Sequence, residues 1–303
     1  MTTAPRVGFV GLGAMGRGMA RCLHRRGLLE CVWNRSRPAS DQIAGELQVP
    51  VPGSPAELAE ACDVVVLCVS ADADMLDVVD QLAGTLKPGA IVVDCSTVSA
   101  DTAREAARRL GLRDVDFLDA PVSGGVEGAR QGTLAIMVGG PEAAFERARP
   151  VLEAMGGTVT RFGETGAGQA AKATNQIMCA GIIQAVAEAM AFAKAEGLPL
   201  EALIDTLGKG AGSSWYFVNR APNIVRGSYP PGFRVRLHEK DLKICREMAA
   251  RHGVELPLVE AALEQYRQLI EQGHGDEDIS TLFRLKDALF EAGERVSREP
   301  PGE

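Results

Sequence analysis

The sequence predicts an α/β protein in two parts: an N-terminal domain built on a largely parallel sheet, then a long connecting helix leading into an all-α C-terminal domain. Three observations carry this. Short, continuously apolar runs alternate with helical patterns as far as about residue 165, as expected of strands buried under helices on both faces. Strand signals stop after residue 166, where a long helical run begins. The first strand pattern also passes directly through a glycine-rich turn into the first helix pattern. The expected divisions are 1–165, 166–292, and a charged tail over 293–303 whose two prolines argue for disorder.

Arg6-Val7-Gly8-Phe9-Val10 reads as a short buried strand. It leads into Gly11-Leu12-Gly13-Ala14-Met15-Gly16, and a helical pattern follows through Met19, Cys22 and Leu23. Between a strand and a helix, Gly-x-Gly-x-x-Gly marks a Rossmann-type dinucleotide-binding turn. Gly11 permits the tight turn, Gly13 lets a pyrophosphate approach the backbone, and Gly16 lets the helix pack close. The amides at the helix start face the phosphates, so Leu12, Ala14 and Met15 belong to the same cradle. The second strand ends at Cys31-Val32-Trp33-Asn34-Arg35-Ser36-Arg37. An NAD-binding turn places an acidic residue here for the ribose hydroxyls. Asn34, Arg35 and Ser36 stand there instead. A carboxylate would repel a 2′-phosphate, whereas Arg35 can hold one with its fork of donors. NADPH/NADP is the favoured cofactor, with NADH/NAD the alternative. Read plainly, Arg35 and Arg37 are solvated loop arginines.

Further along, Pro55–Ala61 reads as a helix and Val64–Val69 as an apolar strand. A helix over Met75–Leu86 is stopped by Lys87-Pro88-Gly89, and the strand Ala90–Val93 ends at Asp94-Cys95-Ser96-Thr97. Asp114–Leu118 and Leu134–Val138 read as strands, and Pro141 opens a helix to Met155. Ligands of such sheets bind beyond the C-terminal strand ends. Gly13, Asn34, Ser70 after Val69, Thr97 and Ser123 all fall there and can line one crevice.

The second part reads as helices over Gly168–Glu196, Leu200–Leu207, Ser214–Ala221, Glu239–His252, Pro257–Gln272 and Ile279–Ala292. The apolar stretch Ile177–Ala193 contains Gln184 and Glu188, and reads as a buried helix, not a membrane span. Helices of this kind commonly pack across subunits, so a homo-oligomer is expected. The start of the long helix, Gly166-Ala167-Gly168-Gln169-Ala170-Ala171-Lys172-Ala173-Thr174-Asn175-Gln176, sets Lys172 among small residues with Asn175 on the same face. Such a lysine can exchange a proton with a substrate hydroxyl or hold a developing alkoxide. Acting as a base, it needs burial or nearby positive charge to lower a pKa normally about 10.4. The plain alternative is a solvated lysine on an Ala-rich helix.

Composition narrows the classes. A chain of 303 residues with a formal charge of −8 does not present a nucleic-acid surface. Its seven cysteines form no C-x-x-C pair and have no histidine cluster nearby. They read as reduced core residues of a cytoplasmic protein, with no metal site. Met1-Thr2-Thr3-Ala4-Pro5 carries no charged stretch followed by an apolar run, so no targeting signal is expected.

From Val7 to about Leu285 the chain resembles the β-hydroxyacid dehydrogenase family, which includes 3-hydroxyisobutyrate dehydrogenase and tartronate semialdehyde reductase. The resemblance rests on four blocks in family order: Gly11 to Gly16, Asp119-Ala120-Pro121-Val122-Ser123-Gly124-Gly125, Gly166 to Gln176, and Lys240-Asp241-Leu242. Ala211-Gly212-Ser213, the run from Pro231 to Leu242, and Asn175-Gln176, where many relatives carry two asparagines, look most like the tartronate semialdehyde reductases. The resemblance implies hydride transfer between a nicotinamide and a small carboxylate substrate, a 3-hydroxy acid or its aldehyde. Tartronate semialdehyde to glycerate is favoured, with 3-hydroxyisobutyrate or another small aldehyde acid as the alternative. It implies Lys172 as general acid and base, and Asn175 orienting it or the substrate. Ser123, Gly124 and Gly125 would form a loop for the substrate carboxylate, Thr97 would approach the nicotinamide, and Lys240 would reach the cofactor from the helical domain. It further implies dimers or tetramers. Trp215 and Phe233 are candidate pocket walls, or equally helical-domain core. Read in isolation, Lys240 pairs with Asp241. 6-Phosphogluconate dehydrogenase, with a similar first domain, needs a much larger helical part, and imine reductases typically lack this lysine. A non-catalytic NADPH-binding sensor or scaffold would have no chemical need for Lys172.

Overall fold

The computed structural model describes residues 4–298, with side chains to residue 291. Two compact units divide the chain, Met1–Lys172 and Ala173–Glu303, and the division falls inside the long helix. In chain order the first unit contains β1 (Val7–Val10), α1 (Gly16–Arg25), β2 (Leu29–Trp33), α2 (Arg37–Leu47), α3 (Pro55–Ala61), β3 (Val64–Leu67) and α4 (Asp72–Ala83). Then come β4 (Ile91–Asp94), α5 (Ala100–Gly111), β5 (Asp116–Asp119), β6 (Val122–Ser123), α6 (Gly125–Gln131), β7 (Leu134–Gly139), α7 (Glu142–Met155) and β8 (Gly156–Gly163).

Among the described residues the sheet has eight strands in the order β2-β1-β3-β4-β5-β7-β6, with β8 beside β7. From β2 to β5 every pairing is parallel. β7 is antiparallel to β5 and β6 and parallel to β8. From β1 the chain moves outward to β2, then returns to β3 on the other side of β1. Strand order reverses there, and a crevice opens at such a point beyond the carboxyl ends of the strands. The apolar runs follow from burial on both faces. Val64 and Val66 of β3 join one core with Phe9, Met19 and Leu23, while Val65 and Leu67 join another with Leu58, Met75 and Leu82. Each such side chain stabilises the fold by about 1.5–3 kcal/mol when buried, so neither face tolerates polar alternation.

Between β1 and α1 the backbone requires glycine. Gly11 has φ +99°, and a Cβ on Gly16 would lie 1.9 Å from the Gly11 carbonyl oxygen. Gly16→Ala must push α1 off the strand, and is expected to cost about 1–3 kcal/mol in urea unfolding. An unchanged unfolding midpoint would show that the turn has room to spare.

Several elements go beyond the sequence reading. α5 hides because its buried face is mostly alanine (Ala100, Ala103, Ala106, with Leu110), which carries little apolar periodicity. α2, α6, the two-residue β6 and the glycine-led β8 are also additions. The strand expected from Asp114 starts at Asp116, because Asp114 sits at φ +54° in a turn.

α8 (Ala167–Ala195) begins in the first unit and continues into the second, followed by α9 (Leu200–Leu207), α10 (Trp215–Arg226), α11 (Val235–Ala250) and α12 (Pro257–Glu271). A 3-10 turn, Ile279–Leu282, leads into α13 (Phe283–Arg298). By length and composition α8 is apolar enough to cross a membrane. One of its faces (Ala180, Ile183, Ala187, Met190) shares a core with Val259, Leu263 and Tyr266 of α12. α10 continues past Ala221 through Pro222 and stops at Gly227, φ +62°. α13 corrects the expected tail. It continues through Gly293 to Arg298, because Glu294 and Arg295 favour helix and a single glycine costs only about 1 kcal/mol. Residues 299–303 lie outside the described residues.

Candidate functional site

The glycine loop is held from the end of β2. Asn34 Oδ1 accepts the Leu12 amide at 2.9 Å, and Asn34 Nδ2 donates to the Ser36 carbonyl at 3.2 Å. Leu12 is therefore committed elsewhere: its side chain is core and its amide serves Asn34. Gly13 and Ala14 are exposed, and a Cβ added to Gly13 would meet nothing within 4 Å. Met15 precedes the first residue of α1, where the Arg17 and Gly18 amides donate to the Gly13 and Met15 carbonyls at 3.2 and 3.0 Å. Arg35 points to solvent with its side chain 83% exposed, and pairs with Asp74 of α4 at 2.7 Å. An exposed pair of this kind is worth about 0–1 kcal/mol and exchanges readily for another anion. Arg37 pairs with Asp41 within α2.

On the far side of the strand switch, Val69 donates its amide to Ser96 Oγ at 2.8 Å, and the Ser96 amide in turn bonds Asp94 Oδ1 at 3.0 Å. Ser70 is exposed and Thr97 is half-buried. Around Thr97 closes a clamp that sequence reasoning missed. Gln169 of α8, 2% exposed, donates from Nε2 to the Ser96 carbonyl at 2.9 Å and accepts the Val98 amide on Oε1 at 3.3 Å.

Asp119, at the end of β5, is the second missed residue. Its fully buried carboxylate accepts the Gly166 amide at 2.7 Å and the Gln169 amide at 2.9 Å, and so caps the start of α8. Packing there is tight: a Cβ on Gly168 would sit 2.4 Å from the Met137 carbonyl oxygen. Burial pushes the Asp119 carboxyl above its ordinary value, against the pull of the Gly166 and Gln169 amides. A raised native value means the folded state holds the proton more tightly. Its stabilising contribution is therefore full below the unfolded value of about 3.9 and is lost as pH rises through the native one. Thermal melts above ~pH 4 should show this slope in the native protein and not in Asp119→Asn. Identical slopes would remove the assignment.

One turn after Gln169, Lys172 is only 7% exposed, and its Nζ donates to the Val122 carbonyl at 3.0 Å. The solvated-surface reading of this lysine is thereby overturned. Val122 and Ser123 form β6, paired with Ile136 and Ala135 of β7, where the sequence suggested a loop. Gly124 and Gly125 then turn the chain at φ +132° and +63°. Ser123 thus directly follows the carbonyl that holds Lys172.

The second unit carries its own polar network. Asn175 donates to Gln176 Oε1 at 2.8 Å, and Gln176 Nε2 donates to Asp241 Oδ2 at 2.7 Å. Asp241, 4% exposed, holds Lys240 at 3.1 Å through its other oxygen. The buried His238 ring lies 2.9 Å from the Tyr266 hydroxyl and 3.3 Å from the Gln176 carbonyl. Phe233 packs on His238, with ring centroids 5.3 Å apart, and so belongs with the core beside this network. Trp215 is different: it is 61% exposed, with the Arg220 guanidinium 5.3 Å from its ring. Gln176→Ala would strand a buried Asp241 oxygen, costing about 1–3 kcal/mol. Chemical denaturation would read that loss, and its absence would mean that water replaces the amide.

Residues 6–163 match the family described as the NAD binding domain of 6-phosphogluconate dehydrogenase. Residues 166–286 match NAD-binding of NADP-dependent 3-hydroxyisobutyrate dehydrogenase. The chain belongs to the β-hydroxyacid dehydrogenase family. It is 37% identical to an L-threonate dehydrogenase from Cupriavidus necator, over 92% of this chain and 95% of that one. It is 35% identical to an NAD-dependent L-serine dehydrogenase from Pseudomonas aeruginosa, over 93% and 98% of the two chains. The crystal structure of 3-hydroxyisobutyrate dehydrogenase from Salmonella typhimurium superposes with a TM-score of 0.83 at 38% identity, covering 92% of this chain and 99% of that one.

This β-hydroxyacid dehydrogenase uses a nicotinamide dinucleotide, NAD or NADP, and acts on the CH–OH group of a hydroxy acid. Its first unit fits that cofactor. The open space at Gly13, which a Cβ would fill, lets a pyrophosphate approach the backbone at the start of α1. The missed residues had a faint signal: Asp119 and Gln169 are polar residues inside otherwise small or apolar motifs. Nothing in their spacing says that the first caps a helix and the second clamps a turn.

Proposed function

We propose that this dehydrogenase reduces tartronate semialdehyde to glycerate, and the reverse, with NADPH/NADP preferred over NADH/NAD. One observation supports the chemistry above the others: the buried Lys172 ammonium, held on the Val122 carbonyl beside Ser123, Gly124 and Gly125. The nicotinamide, when bound, supplies or accepts the hydride. In the reducing direction Lys172 gives a proton to the carbonyl oxygen of the substrate, and in the oxidising direction it takes that proton back. The Val122 carbonyl orients the Lys172 nitrogen for both, as the ammonium when it gives the proton and as the neutral amine when it takes it. The Ser123 hydroxyl and the amides opened by Gly124 and Gly125 hold the substrate carboxylate. Asn175, three residues after Lys172 on α8, orients the lysine or a substrate oxygen.

Relatives named for L-threonate, L-serine and 3-hydroxyisobutyrate support a small hydroxylated carboxylate as substrate. The NADP preference follows from Asn34 and Arg35 at the end of β2, where Arg35 exchanges Asp74 for a 2′-phosphate. The seven free thiols suit the cytoplasm. Self-association through α8, whose Met178, Ile182 and Phe192 are exposed, is part of the same proposal.

Oxidation of glycerate, 3-hydroxyisobutyrate, L-serine and L-threonate with NADP separates the candidates. A kcat/KM for glycerate at least about tenfold above the others, a difference of about 1.4 kcal/mol, is the expected result. A comparable lead for 3-hydroxyisobutyrate would replace the substrate while leaving the mechanism in place.

A further inference from the structure

We infer that Gln169 is a positioning residue of this enzyme, fixing Thr97 relative to Lys172. This deepens the reading of Lys172 as the proton-transfer group, and rests on it. Gln169 is almost wholly buried and uses both ends of its amide: Nε2 to the Ser96 carbonyl at 2.9 Å, Oε1 from the Val98 amide at 3.3 Å. Those two groups flank Thr97, so the amide clamps the turn on either side of it. The same Ser96 anchors Val69 through its hydroxyl at 2.8 Å, which ties the ends of β3 and β4 together. The backbone of Gln169 is fixed in turn, since its amide is one of the two that cap on Asp119. Lys172 stands three residues further along α8 and so shares a helix face with Gln169. Its Nζ is set on the Val122 carbonyl, three residues after Asp119. One helical turn thus carries both the lysine and the clamp on the turn after β4, where Thr97 would meet the nicotinamide.

The amide of Gln169 meets both groups as built. A buried donor and a buried acceptor must both be met, and leucine, of similar size, meets neither. A displacement of about 1 Å between reacting groups can cost on the order of a hundredfold in rate. Gln169→Leu is therefore expected to lower kcat by roughly 10- to 100-fold. The Kd for NADPH, read by fluorescence, should change little. The isotope effect with NADPH deuterated at the transferred position should rise, because hydride transfer becomes rate-limiting.

Gln169→Glu supplies a second variant of nearly native shape. Protonated, its carboxyl donates to Ser96 and accepts from Val98 as the amide does. Ionised, it can only accept, and faces the Ser96 carbonyl with a charge. Its kcat relative to native enzyme should therefore rise as pH falls toward the carboxyl pKa, which burial lifts above about 4.3. Lowered kcat, raised isotope effect and acid rescue together support the inference. A native kcat and isotope effect per bound NADPH, with only a lower Tm, would overturn it by reducing Gln169 to a structural residue. So would a pH profile of Gln169→Glu parallel to native. Lys172→Ala, assayed alongside, separates the two layers. If that variant is crippled while the Gln169 variants behave as native, only the positioning role falls. If Lys172→Ala keeps near-native turnover, the lysine reading fails and this inference falls with it.

Discussion

Lys172→Ala is expected to lower kcat by about 10²- to 10⁴-fold, the range a positioned proton-transfer group supplies, equivalent to about 2.7–5.4 kcal/mol in the barrier. Affinity for NADPH should be nearly unchanged, because the nucleotide cradle is built from β1, α1 and β2, apart from α8 in sequence. Folding should survive, since Asp119 and Gln169 hold the helix start through bonds that do not involve the lysine. Single-turnover reduction and a thermal melt on the same preparation separate the effects. A small loss of kcat with an intact melt would remove Lys172 from the chemistry. A matched loss in NADPH affinity would assign it to cofactor binding instead.

Exchanging the residues at the end of β2 is expected to invert the cofactor preference. In Asn34→Asp combined with Arg35→Ser, the new carboxylate still accepts the Leu12 amide that Asn34 accepts at 2.9 Å, so the glycine loop keeps its shape. It loses the donation to the Ser36 carbonyl and gains a charge that repels a 2′-phosphate. Removing Arg35 deletes a charge-assisted hydrogen bond to that phosphate, worth about 1.5–3 kcal/mol. The ratio of kcat/KM for NADPH over NADH should fall by roughly 10- to 150-fold from the arginine alone, and further from the carboxylate. Loss of the Arg35–Asp74 pair should leave stability almost unchanged, because both groups lie at the surface. An unaltered ratio would mean that the cofactor is chosen elsewhere.

How much of this was legible in the sequence depended on distance along the chain. Gly11, Gly13 and Gly16 announce the nucleotide turn because the requirement is local: a positive φ, an open approach and a close helix all lie within six residues. β3 and β4 announce themselves because strands covered on both faces must be apolar throughout. Lys172 stood out by its small neighbours. Its burial did not, since that depends on a carbonyl fifty residues earlier. Asp119 and Gln169 were opaque for the same reason: their partners lie 47 to 73 residues away. α5 shows the limit of periodicity when alanine forms the packed face. Trp215 was a plausible pocket wall by residue type alone, and it lies exposed beside Arg220. The extension of α13 to Arg298 was missed because the prolines were weighed above the helix propensity of the residues before them.

The measurement that bears most directly on the central claim is consumption of NADPH by the purified protein when tartronate semialdehyde is added. Methylmalonate semialdehyde, succinate semialdehyde and glyoxylate, and NADH in place of NADPH, serve as comparisons. The proposed function predicts turnover of tartronate semialdehyde with NADPH on the order of 1–10³ s⁻¹, with glycerate as product. Binding of NADPH without turnover of any of these aldehyde acids would contradict it, and would favour a nucleotide-binding role without this chemistry.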